Sequence, residues 1–128
     1  MTIQELEHTL PNGFHDSFLV GMEVDFVAGT CTLVLEVDYD GPEPEVFRRM
    51  KLQLRGLCLF IIDPPDRRYP FSTGRIQTCG DTTSEQMLPN LESYRKSAPP
   101  GAFFYSFYLT YYNCFIHFAA TGAELIDG

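Results

Sequence analysis

The side chains best suited to chemistry are two histidines in different parts of the chain. His15 and Asp16 are adjacent, just before a strand-like run, and a carboxylate beside an imidazole is the pair that orients a general base. His117 lies in the aromatic C-terminal third, where Tyr108, Ser106 and Thr110 are expected on the same face of a hairpin, with Tyr108 as its direct cross-strand neighbour. Brought together, His15, Asp16 and His117 would suit a small hydrolase or a ligand-binding pocket. The plainer reading is that Asp16 caps a turn, His15 covers a strand end, and Tyr108 packs on His117 within the sheet. No G-x-S-x-G elbow accompanies them, so no catalytic residue is assigned and the chain reads as more a binder than an enzyme.

Metal and cofactor motifs are missing as well. There is no H-x-H or H-E-x-x-H spacing, no C-x-x-C pair, and no glycine-rich phosphate loop, so neither a metal nor a nucleotide cofactor is expected.

Charge is distributed unevenly. Residues 1 to 47 hold ten acids and no Lys or Arg, residues 48 to 96 hold all nine basic residues and five acids, and the remainder holds two acids. The segments carry −10, +4 and −2, and the whole chain −8. A protein with a pI near 4.7 repels polyanions at long range, which argues against nucleic acid despite the run Arg48, Arg49, Lys51, Arg55, Arg67, Arg68 and Arg75. Acidic Glu36, Asp38 and Asp40 on one strand and basic Arg49, Lys51 and Arg55 on the next are expected to form a solvated cross-strand ladder, which is also the candidate partner-binding surface.

These residues need strands to hold them. Thr2 followed by Glu5 is a capping box, with Ile3, Leu6 and Leu10 on one side of a short N-terminal helix that Pro11-Asn12-Gly13 stops. From 18 to 39 the apolar period is two, broken at Ala28-Gly29, which predicts a hairpin pairing Val20 with Val37, Met22 with Leu35, and Phe26 with Cys31. A third strand is predicted from Val46 to Ile62, ended by Asp63-Pro64-Pro65-Asp66. Arg75 to Cys79 is a short strand candidate, and 80 to 100 reads as an irregular loop. A second hairpin, turning at Tyr112-Asn113, is predicted to pair Tyr105 with Ala120 and Phe107 with Phe118, and a last strand runs from Ala123 to Ile126. The expected fold is mainly β: an antiparallel β sandwich or a strongly curved sheet of six to eight strands with a short N-terminal helix.

At 128 residues the chain is the size of a single domain spanning 1–128, able to bury a core without staples. Its four cysteines, at 31, 58, 79 and 114, read as free thiols, and Cys31, Cys58 and Cys114 as buried within strands. The opening residues carry acids where a secretory signal needs a basic start, and the longest apolar run, Leu57 to Ile62, falls short of a membrane span, so a cytoplasmic chain is expected.

Leu10-Pro11-Asn12-Gly13-Phe14-His15-Asp16, running into an amphipathic hairpin, resembles a group of small uncharacterised bacterial β-rich proteins, and Tyr111-Tyr112-Asn113-Cys114-Phe115 extends the likeness loosely. Some of these resemble immunity proteins of polymorphic-toxin systems, small acidic cytosolic partners that block a toxin by binding it. The resemblance implies a non-enzymatic protein-binding module, and a protein partner or self-association is the interaction to expect.

Overall fold

The computed structural model describes residues 1–38, 47–62, 74–81, 91–110 and 114–128. Tyr39, Asp40, the Asp63 to Asp66 turn, Arg67, Arg68, residues 82–90 and the Tyr112-Asn113 turn lie outside the described residues. The protein is mainly β. Among the described residues, eight strands, all antiparallel, form one sheet that does not close, accompanied by two short helices.

The chain opens with α1 (Ile3–Glu7), set by the capping box that the sequence announces. Thr2 Oγ1 accepts the Glu5 N–H at 3.2 Å, and the Glu5 carboxylate accepts the Thr2 N–H at 2.8 Å. Ile3 and Leu6 are buried, and the buried Tyr105 donates its hydroxyl to the Glu7 carboxylate at 2.6 Å, fastening the helix to the sheet.

Strands β1 (Phe18–Asp25) and β2 (Thr30–Asp38) form the first hairpin. Cys31, Leu33, Leu35 and Val37 all point into the core, as their spacing predicts. The register differs from the expected one, because Asp25 pairs with Thr30, Met22 with Leu33 and Leu19 with Leu35. Two local causes account for this. Asp25 Oδ1 takes the Val27 and Ala28 N–H groups, and Gly29, at φ +68°, bonds to the Asp25 carbonyl, so the loop spans 26 to 29 rather than turning on Ala28-Gly29 alone. A bulge between Leu19 and Gly21 then reverses the alternation, putting Leu19 inside and Phe18 on the outer face. Val20, at the bulge, and Phe26, in the loop, are exposed rather than core, and Met22 is exposed as well although it pairs with Leu33.

The predicted third strand is two strands. β3 (Phe47–Arg55) pairs with β2 and with β8 (Gly122–Asp127), whereas β4 (Leu59–Ile62) pairs with β7 (Cys114–Ala120). The break is Gly56, at φ +63°, where a Cβ would lie 2.0 Å from Thr121 Oγ1. β5 (Gly74–Asp81) and β6 (Phe103–Leu109) complete the order β4-β7-β6-β5-β1-β2-β3-β8. Segments 47–62 and 114–127 thus supply both ends of the strand order, one pair at each end. In the β6–β7 hairpin Tyr105 faces Phe118 and Phe107 faces Ile116, two residues from the predicted pairing, which leaves the inward set unchanged. Within the region read as irregular, residues Leu91–Ser97 form α2.

One core gathers Leu33, Leu35, Leu52 and Leu54 from one half of the sheet and Phe107, Ile116 and Phe118 from the other, with Phe14 and α1. A smaller cluster on the far side of β6 and β7 joins Phe104 and Ala119 to Leu59, Ile61, Ala98 and Ala102.

Candidate functional site

His15 and Asp16 sit where β1 meets β5. Asp16 adopts φ +65°, and its N–H bonds to the Ile76 carbonyl at 2.8 Å while Ile76 returns a bond to Ser17. Asp is among the residues that tolerate this left-handed conformation. Its carboxylate lies 3.1 Å from the Arg75 guanidinium and 3.7 Å from His15 Nε2. Asp16 thus orients Arg75 as well as His15, a partner 59 residues away that no local signal indicates.

His117 belongs to a different cluster. Ser106 is its cross-strand partner, with Ser106 Oγ and His117 Nδ1 2.7 Å apart, and Phe115 stacks on the imidazole at 5.5 Å. Tyr108 instead faces Phe115, ring centroids 4.9 Å apart, which corrects the expected Tyr108–His117 contact. A serine bonded to an imidazole is the opening arrangement of a nucleophile–base pair. Here Ser106 is 3% exposed and His117 0%, so in this conformation a reacting carbonyl has no approach to Oγ. The described contacts join His15 to Asp16 and His117 to Ser106, and none joins the two histidines.

The charged ladder forms in part, with one expected pair and others that find different acids. Arg49 faces Glu36 across the strands and bonds to it at 2.9 Å. Arg55 instead finds Glu124 at 2.6 Å, and Arg48 approaches Asp127 at 4.0 Å, so β8 supplies two of the acids. Lys51 is exposed, opposite Val34 and Ile126. Asp38 departs most from expectation. It is only 6% exposed, opposite Phe47, and among the described residues its Oδ1 meets no hydrogen-bond donor.

The β1–β2 tip is not apparent from the apolar pattern of the sequence. Phe26 is 92% exposed and Val27 100%, side by side in a loop that the Asp25 carboxylate ties down. Alternating apolar residues made Phe26 look like core, and the Asp-x-x-x-Gly loop pattern was the signal available against that.

Cys31 and Cys114 are buried, and burial pushes the Cys31 thiol up to about 11. Cys58, in the break between β3 and β4, is exposed rather than buried within a strand. Among the described residues no three metal-ligating side chains converge, and no helix is long and apolar enough to cross a membrane. A shallow depression of about 420 Å³ lies between Met1, Leu6, Arg55 and β8.

No protein-family model matches the chain, and no curated protein or solved structure does either.

Proposed function

We propose that the chain is a non-enzymatic, cytoplasmic protein-binding module that acts like an immunity protein, occupying a protein toxin and thereby blocking it. The observation that carries this reading is the β1–β2 tip. Two adjacent apolar side chains, 92% and 100% exposed, are held in a hydrogen-bonded loop. Scattered exposed apolar residues are ordinary, but an ordered apolar knob loses little conformational freedom on docking and suits the buried centre of an interface. The acidic first third of the chain supplies long-range attraction to a basic partner. A strongly curved sheet or sandwich fits this role, because one core drawing on both halves of the sheet leaves the hairpin tip free to project.

The test is co-purification of the tagged chain from its source cells, beside a Phe26→Ser/Val27→Ser variant, followed by growth rescue with the protein captured. A stoichiometric protein held by the wild type, lost by the variant, and toxic when expressed without the chain is the expected result. Equal capture by both proteins, or no stoichiometric protein at low salt, refutes it.

The 2.7 Å contact between Ser106 and His117 favours a second reading, a small hydrolase that opens to expose the pair, with His15 and Asp16 at a separate polar site. Labelling of Ser106 by a fluorophosphonate, abolished in His117→Phe, would establish it, and inert Ser106 would remove it.

A further inference from the structure

The outer face of β1, β2 and β3 holds a buried carboxylate, Asp38, one of whose oxygens meets no donor among the described residues. Glu36 and Asp38 alternate onto that face of β2, with Phe18 opposite Glu36 on β1 and Phe47 opposite Asp38 on β3. The two rings meet edge to face at 5.5 Å, and Arg75 lies over the Phe18 ring at 5.7 Å. Among the described residues, Arg49 is engaged by Glu36 at 2.9 Å and Arg75, over the Phe18 ring, by Asp16 at 3.1 Å. Asp38, 6% exposed, is left with an Oδ1 that meets no donor among the described residues.

We infer that Asp38, opposite Phe47 and beside the Phe18–Phe47 ring pair, receives one arginine side chain of the protein partner when those rings move aside to uncover it. This rests on the protein-binding reading above and names the chemistry that the partner must bring. A buried carboxylate oxygen without a donor is costly in the free protein, and a guanidinium that enters removes that cost while gaining a charge-assisted hydrogen bond. The aromatic walls choose the cation. A guanidinium is planar, stacks on ring faces and sheds water more readily than an ammonium, so arginine suits a site lined by two phenylalanines better than lysine does. Residues 1 to 47 carry ten acids and no Lys or Arg, and of the cations that β3 brings to the same face, Arg49 and Arg55 are already held by Glu36 and Glu124.

The experiment titrates isotope-labelled chain with Nα-acetyl-arginine amide, using Nα-acetyl-norleucine amide as the uncharged comparison, and follows Asp38, Phe18 and Phe47 by NMR. Saturable shifts with the arginine amide alone are expected, and Asp38→Asn should weaken the affinity at least about tenfold. Asp38→Asn should also melt at or above the wild-type temperature, because it removes an unbalanced charge. Absence of saturable shifts, unchanged shifts in Asp38→Asn, or a lower melting temperature in that variant overturns the inference. Self-association abolished by Asp38→Asn would assign the cation to a second copy and overturn it too. The probe requires no partner protein, and the Phe26→Ser/Val27→Ser variant should bind it like the wild type, so failure here is distinct from failure of the tip to capture a toxin.

Discussion

Substituting Gly56 by alanine tests the corner between β3 and β4, and its cost can be worked from two separable contributions. Gly56 has φ +63°, a conformation that costs an L-residue about 1–2 kcal/mol. The added Cβ would also lie 2.0 Å from Thr121 Oγ1 and 3.2 Å from Thr121 Cβ. Turning Thr121 away strains its rotamer by about 0.5–1.5 kcal/mol. The turn also breaks the 3.3 Å bond that Thr121 Oγ1 donates to the Arg55 carbonyl. Gly56→Ala should therefore destabilise by about 2–4 kcal/mol, or about 4 °C in melting temperature per kcal/mol for a domain of this size. Thr121→Ala removes the colliding oxygen, so in that background Gly56→Ala should cost only the backbone contribution of about 1–2 kcal/mol. Urea unfolding of the wild type, both single variants and the double variant gives the coupling directly. A neutral Gly56→Ala, or costs that simply add, would refute the argument that backbone conformation and the Thr121 contact together require glycine here.

Further outcomes are expected. Ser106→Ala leaves His117 Nδ1 without its 2.7 Å partner and should cost about 1–3 kcal/mol by urea unfolding, whereas an exposed serine would cost almost nothing. Arg75→Met breaks the partly exposed pair with Asp16 and should cost about 1 kcal/mol in low salt and less in high salt, measured by thermal unfolding at two ionic strengths. The Cys31 thiol is raised from 9.0 to about 11, so the unfolded chain ionises first, and stability present below pH 9 should fall between about 9 and 11 by up to about 1.4 kcal/mol per pH unit. Cys31→Ala should flatten that alkaline limb, and alkylation mapping at pH 8 should mark Cys58 well before Cys31 or Cys114. Phe26→Ser/Val27→Ser should leave the unfolding midpoint within about 0.5 kcal/mol of wild type, since both side chains lie in water.

How much of this was legible in the sequence depends on the range of the interaction. The Thr2–Glu5 box is complete within four residues, and it forms as read. Period-two patterning identified the inward faces of β2, β6 and β7, because burial imposes the alternation directly. Register was not legible to the same degree. The Asp25 loop and the bulge after Leu19 shift β1 against β2 without disturbing the β2 pattern. Residues 57–62 are as apolar as a continuation of β3 would be, and the isolated Gly56 was the sole local sign that the chain turns there to another partner. The candidate site was harder still. His15 and Asp16 were visible as a pair, but Arg75 completes them from 59 residues away. Asp38 reads as one more acid in a solvated ladder, yet it is 6% exposed, facing Phe47 on the flanking strand.

Segments 47–62 and 114–127 forming both ends of the strand order has a consequence for synthesis. β3 and β4 leave the ribosome more than 50 residues before the strands that cover them, so each is an open template until β7 and β8 have been made. The finished sheet therefore assembles late and through distant pairings, which slows folding and makes C-terminally shortened chains prone to stick to one another. Arg48, Arg49, Lys51 and Arg55, spaced along β3, set like charges against a second nascent copy and keep that template soluble while it waits.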